Sequence, residues 1–201
     1  DNGYDAFSLD NVRDTLSDQP GFDRQQSDIL STKLTFTQFE KFKVEALFGY
    51  ADSETEYAYD EDWVFSGFHP WEYSSTDQYF RDRATSSAEL RFVSSDSGSI
   101  FSDTTDWIFG LYSLQQEVDL RRVYTFLPAD FSSKYDIDRF AVYGEINSDL
   151  NNNWSLSLGF RTEKFDATYL DSNVVNFTPE ESLYGGKLSL NYRALRNALL
   201  Y

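Results

Sequence analysis

Residues 154–163 read WSLSLGFRTE, and apolar and polar residues alternate along them. Trp154, Leu156, Leu158 and Phe160 are apolar at every second position, and the residues between them are small, polar or charged. Successive side chains of a strand point to opposite faces. The alternation therefore predicts an amphipathic β-strand with one apolar face and one polar face.

The same period of two recurs along the chain, for example in residues 44–50, 88–92 and 188–192. Residues 106–112 are apolar at nearly every position, so the pattern leaves the orientation of that strand open. No helical period of useful length is present. We predict an all-β antiparallel meander of long amphipathic strands, at about 28–38, 42–59, 77–94, 106–121, 137–149, 153–167 and 183–194.

The predicted connections alternate between short polar turns and long aromatic-rich loops. This asymmetry is typical of a β-barrel that crosses an outer membrane. The sequence predicts an extracellular loop at 1–27 and a partial barrel at 28–201, with about seven strands and the start of an eighth. We expect both ends to be cuts through a longer protein. Short connections are expected after Phe39, Leu150 and Arg193, and long ones after Tyr59, Arg121 and Thr168.

Composition excludes several classes of function. The chain has 34 acidic and 17 basic residues and a net charge of −17, which argues against nucleic-acid binding. Aromatic residues reach 18%, too many for a disordered acidic chain. Cysteine is absent, which excludes disulfides, thiolate metal sites and cysteine nucleophiles. No run of about 18 apolar residues predicts a transmembrane helix.

Catalytic chemistry has little support in the sequence. His69 is the only histidine, and no Gly-x-Ser-x-Gly elbow accompanies it. Asp60, Glu61 and Asp62 offer oxygen ligands but lack the spacing of an EF-hand, so we predict a solvated acidic loop. We expect a protein that is not an enzyme and that holds no cofactor and no metal.

Several motifs, taken in order, resemble the TonB-dependent outer-membrane receptors. They are SAELRF at 87–92, DWIFGLY at 106–112, FAVYGE at 140–145 with WSLSLGFRTE at 154–163, and GKLSLNY at 186–192. The resemblance implies a 22-stranded barrel closed by a plug domain. Neither the plug nor the remaining strands are expected in this chain.

The resemblance also implies a function and a location. The whole protein would bind a scarce ligand, such as a ferric siderophore, cobalamin or a glycan, and import it with energy from TonB. Its partners would be outer-membrane lipid, TonB, the plug domain and the small-molecule or glycan ligand, in the outer membrane of a bacterial cell. Two alternatives stay open: an exported β-sandwich or solenoid that binds carbohydrate or mediates adhesion, and a structural barrel without energised transport.

Two groups of residues are candidates for function. Aromatic residues beside polar groups suit ligand binding in the extracellular loops, although barrels also use such rings as structural girdles. Charged residues on the polar faces are expected to face the lumen, where they contact the plug or ligand, or pair across strands. The first group is Trp63, Phe68, His69, Trp71, Tyr73, Tyr124 and Phe131; the second is Arg81, Arg83, Glu89, Arg91, Arg161, Glu163, Lys187 and Arg193.

Overall fold

A computed structural model describes residues 16–19, 21–68, 70, 73–195 and 198–200. It shows one nine-stranded antiparallel sheet in which the seven long strands pair in sequence order, and a short strand at residues 176–177 pairs with residues 169–170. A 3-10 turn lies at Asp96–Gly98. The strands are β1 (Phe22–Phe36), β2 (Phe42–Asp60), β3 (Thr76–Ser94), β4 (Thr105–Tyr124), β5 (Phe131–Asp149), β6 (Trp154–Asp171), β7 (Asn176–Phe177), β8 (Glu180–Leu195) and β9 (Ala198–Leu200).

The sheet confirms the predicted all-β meander of long strands. Seven strands have 15 to 20 residues, whereas five or six are typical of a soluble sheet. Among the described residues no second sheet packs on this one, and the only buried apolar residues are Ala58, Ala141 and Ala167. A β-sandwich would bury its apolar face against an opposing sheet. No helix in the described ranges has the length and apolar character needed to cross a membrane.

Several strand boundaries differ from the prediction. Strand β1 begins at Phe22, so residues 22–27, predicted as loop, pair with residues 53–58 of β2. Strand β4 extends to Tyr124, and β5 begins at Phe131. The connection between them therefore has only six residues, 125–130, and the long loop predicted after Arg121 is wrong. The cause is that these parts of the strands are polar on both faces, which hides the period of two.

Strand pairing settles the orientation of β4, which the sequence left open. Residues directly opposite each other in a ladder lie on the same face of the sheet. Phe109 pairs with Phe92, and Leu111 pairs with Leu90 on β3 and with Val142 on β5. The odd-numbered residues of β4 therefore share a face with the apolar residues of its neighbours.

Candidate functional site

The two faces of the sheet differ sharply. We call the face that carries Leu158 the outer face and the face that carries Arg161 the inner face. Register places the alternating apolar residues of neighbouring strands on the outer face. There they are largely exposed, among them Phe48, Phe140, Phe160 and Leu188, the last at 75%. A large apolar surface without a covering element marks an interaction site.

The apolar part of the outer face is a band rather than the whole face. On β2 the outer residues are apolar from Val44 to Tyr50 and then become Asp52, Glu54 and Glu56. The band lies toward the end of the sheet with the turns 37–41, 95–104 and 150–153, which we call the turn end. The opposite end, with the connections 61–75, 125–130 and 172–179, is the loop end. Aromatic rings line the band at the turn end: Phe42 contacts Phe92 and Trp107, and Trp154 lies 4.5 Å from Tyr192.

The inner face carries a connected network of charged and phenolic groups. Arg91 donates to Glu89 at 2.7 Å, and the Tyr143 hydroxyl donates to the other oxygen of Glu89 across the intervening strand β4. Arg161 donates twice to Glu163, at 2.6 and 3.1 Å. These groups lie on three strands, β3, β5 and β6, and the Arg161 guanidinium lies over the Tyr143 ring, 5.9 Å from its centroid, so the network holds the inner wall together.

A glycine makes this network possible. The Tyr143 ring crosses directly over Gly110, its partner in the β4–β5 ladder. A Cβ atom at Gly110 would overlap the Cζ, Cε1 and hydroxyl oxygen atoms of Tyr143. Glycine is therefore required so that Tyr143 lies flat and reaches Glu89.

We expect Gly110→Ala to displace Tyr143, break its bond to Glu89 and cost about 1–3 kcal/mol of the free energy of unfolding. In a Tyr143→Ser background the same change should cost much less, because the clash is gone. Denaturant titration of the four proteins of this double-mutant cycle measures the difference. Equal costs in the two backgrounds would contradict the role given to Gly110.

A second polar cluster lies on the inner face at the loop end. Asp77, near the start of β3, is 1% exposed. It accepts two bonds from Arg122, at 2.8 and 2.6 Å, and one each from the hydroxyls of Tyr79 and Tyr59, at 2.9 and 3.2 Å. The Arg122 guanidinium also lies over the Tyr79 ring, at 5.3 Å from its centroid. This cluster joins strands β2, β3 and β4 at the loop end of the sheet.

Carboxyl groups organise the base of the 61–75 connection. Glu61 accepts from the Ser75 hydroxyl, and Asp62 accepts from the Ser75 amide at 3.3 Å. Asp60 is 5% exposed and accepts from the Ser17 hydroxyl at 2.6 Å, which ties the segment before β1 to this connection. The prediction of a solvated acidic loop is therefore wrong for Asp60. Burial and a hydrogen bond with Asp60 raise the pKa of Asp62 to about 6.

This pKa predicts a pH-dependent loop. The folded loop raises the pKa of Asp62 above its ordinary value of 3.8, so it favours the protonated carboxyl group. The resulting stabilisation of the loop is complete below pH 3.8 and is lost as the pH rises through about 6. We expect the amides of 61–75 to exchange with deuterium more slowly at pH 5 than at pH 7, after correction for intrinsic rates. Asp62→Asn should remove this difference, and a difference that persists in the variant would rule out Asp62 as its source.

The predicted ligand-binding aromatics are only partly brought together. Tyr73 contacts Phe126 at 5.5 Å, and Phe126 contacts Tyr124 at 5.6 Å, so two connections meet through rings. Trp63 lies against Tyr59, and Phe68 against Phe65. Tyr124 and Phe131 lie at strand ends rather than in a loop. His69 and Trp71 lie outside the described residues.

The eight predicted lumen residues all share the inner face by register. Glu89, Arg91, Arg161 and Glu163 belong to the network described above, and Lys187 reaches Glu145 at 3.4 Å. Arg81 and Arg83 are exposed on β3, and Arg193 is exposed near the turn end. Cross-strand pairing thus explains some of these charges but not all. That the inner face lines a lumen stays a prediction.

The side chains present give no metal centre. Within the described ranges, no group of three or more histidine, cysteine, aspartate or glutamate side chains is placed to hold a metal ion. Polar binding and electrostatics are the chemistry that this arrangement offers.

Comparison with known proteins agrees with the geometry. The family model "TonB dependent receptor-like, beta-barrel" matches residues 1–201. The chain belongs to the TonB-dependent receptor family. No curated protein matches its sequence.

Solved structures of TonB-dependent receptors share the fold. The ferric yersiniabactin uptake receptor FyuA from Yersinia pestis superimposes with a TM-score of 0.60 and 17% identity, over 86% of this chain and 26% of that one. The ferric citrate transporter FecA, in its unliganded form, gives a TM-score of 0.70 and 14% identity, over 87% of this chain and 26% of that one. The chain thus spans about a quarter of the length of these two receptors.

Sequence reasoning missed several residues of this receptor segment. Gly110, Asp77 and Arg122 were not singled out, although a glycine in a strand signals a close approach of another group. Tyr143 was noted only as part of a motif. Its bond to Glu89 spans two ladders, so no pattern within one strand could reveal it.

Proposed function

We propose that this chain forms part of the barrel wall of a receptor in the bacterial outer membrane, which binds a scarce ligand and imports it with TonB-derived energy. A ferric siderophore or related ferric complex is the proposed ligand class. Two structural neighbours, FyuA and FecA, support this choice, since their names describe uptake of ferric yersiniabactin and transport of ferric citrate. Cobalamin and glycans remain the other candidates.

The observation that carries the proposal is the separation of the two faces. Residues 154–162 of β6 span about 30 Å of extended chain, or about 23 Å of depth at a tilt of about 40°. This matches the apolar band of about 25 Å that contacts lipid in outer-membrane barrels. The opposite face carries ion pairs and hydroxyl groups, as expected of a polar lumen.

The inner network is the proposed contact surface of the plug domain. Arg91 lies partly buried there, and its Nε has no hydrogen-bond acceptor among the described residues. A buried donor without an acceptor is costly, so a further polar group is expected against it. Under this proposal the plug contacts Glu89, Arg91, Arg161 and Glu163. The lumen below the plug is lined by Lys187 and Arg193. The incoming ligand contacts the aromatic connections at the loop end.

Uptake by cells tests this function. A bacterial strain that has the full-length receptor as its only receptor for ferric complexes should accumulate labelled ferric siderophore from a panel. Accumulation should fall to background when either the receptor or TonB is deleted. Uptake that persists without TonB would identify a passive barrel instead.

A further inference from the structure

Arg81 and Arg83 are two neighbouring cations of the inner face without a carboxylate partner, and among the described residues Arg193, near the turn end, is also a single unpaired cation of that face. Arg81 and Arg83 are both exposed on β3, and within the described part of the chain neither forms an ion pair or a hydrogen bond with an acid. By contrast Arg91, Arg122 and Lys187 each lie within 3.4 Å of a carboxylate oxygen. In a chain with twice as many acids as bases, two neighbouring arginines without a carboxylate partner require an explanation.

The wall itself offers these arginines no acidic partner. Strand β3 lies inside the sheet, so two strands on each side of it are described. The inner-face residues in register with Arg81 and Arg83 are all uncharged: Thr55 and Ser53 on β2, Gln25 and Ser27 on β1, Leu120 and Val118 on β4, and Ser133 and Tyr135 on β5.

The acids nearest to the two arginines lie on the other face, whereas the inner-face acids are farther away: for example, Asp171 lies three strands away on β6, and Asp23 lies two strands away on β1 and closer to the loop end. Asp82, between the two arginines, belongs to the outer face, as do Glu54 and Asp119, which are close to it in register. The carboxylates next to the two arginines are therefore directed outward, while the inner wall at Arg81 and Arg83 carries two cations. Such a local sign difference attracts anions to the inner wall.

The chemistry of the two side chains specifies the partner. An arginine guanidinium presents a planar fork that matches a carboxylate and binds it through two parallel bonds. Arg81 and Arg83 are two residues apart on one strand, so they are separated by about 7 Å along it. That spacing suits a molecule with at least two carboxylates or an oxygen-rich anionic complex.

We infer that Arg81 and Arg83 form an anion-binding patch on the inner wall that receives an anionic, carboxylate-bearing ligand. The inference rests on the proposed function and narrows its ligand class. The ligand is favoured over the plug because the patch lies beyond the apolar band, where the outer face is already acidic. It is also two residues from Tyr79, which joins the polar cluster at the loop end.

Binding to the full-length receptor in detergent tests the patch. The probes are the anionic ferric citrate complex and a neutral ferric trihydroxamate, titrated by quenching of tryptophan fluorescence. We expect ferric citrate to bind about 100-fold more weakly to the Arg81→Gln/Arg83→Gln double variant than to the wild type, and raised salt to weaken wild-type binding. The control Arg24→Gln removes an exposed cation from the outer face and should leave the affinity unchanged.

Each other outcome overturns the patch in a distinguishable way. If the double variant and the wild type bind ferric citrate with equal affinity, the anion-binding patch is ruled out. If the wild type and the double variant bind only the neutral complex, and with equal affinity, the proposed function stands and the anion-binding patch is ruled out. Binding of neither complex by the wild type counts against the ferric ligand class and the patch together. If the double variant keeps its affinity but its plug becomes sensitive to protease, the arginines hold the plug instead.

Discussion

Leu158→Arg is expected to cost about 2–4 kcal/mol of the free energy of folding into lipid bilayers, because it places a charge in the middle of the apolar band. Leu158 lies between Ile146 of β5 and Leu188 of β8 on the outer face, with band residues above and below it on β6. The free energy of unfolding of the full-length receptor, measured by guanidinium titration in lipid vesicles, gives the comparison.

The matched control for this change is Ser157→Arg, one residue away on the inner face. Ser157 donates to Asn147 at 2.6 Å within a polar surface, so an arginine there should cost about 1 kcal/mol or less. Equal costs at positions 157 and 158 would mean that the outer face does not contact lipid.

Asp77→Ala is expected to destabilise the loop end by about 2–3 kcal/mol. The change removes the acceptor of four hydrogen bonds, two of them from Arg122, and leaves that cation without its buried partner. The cost is moderated because the Arg122 side chain is 34% exposed and water can solvate it in part. Hydrogen exchange of the β2, β3 and β4 amides near this end measures the loss.

Asp130→Ala provides the control for the Asp77 prediction. Asp130 pairs with Arg121 at 3.3 Å, but both side chains are about half exposed, so this ion pair should contribute no more than about 1 kcal/mol. If the two substitutions accelerate hydrogen exchange to the same degree, the Asp77 cluster does not stabilise the loop end of the sheet.

The sequence predicted the strands best where one face is apolar. On β6 and β8 the alternation of leucine with serine and glycine leaves only one assignment of faces, and the register confirms it. Prediction failed toward the loop end, where polar residues occupy both faces, as in residues 23–27 and 132–136. There pairing with the neighbouring strand, rather than burial, maintains the extended chain.

The contacts of the inner face were less accessible to sequence reasoning. The register of two strands must be known before Glu89 and Tyr143, which are 54 residues apart, can be placed together. The separation of charge between the faces was likewise hidden in the net charge of −17. Alternation along β3 already places Asp82 on the face opposite to Arg81 and Arg83, but only the pairing of β2, β3 and β4 shows that Glu54 and Asp119 lie beside Asp82.

The outer face of this sheet should contact lipid while the inner face contacts water. The chain contains no cysteine, so single cysteines can be introduced at successive positions from 154 to 168 of the full-length receptor and spin-labelled in lipid vesicles. Collisions with oxygen, which concentrates in lipid, should be frequent at even positions from 154 to 162 and rare at odd ones. The alternation should vanish beyond 164, and collision rates without a period of two over 154–162 would show that the outer face does not contact lipid.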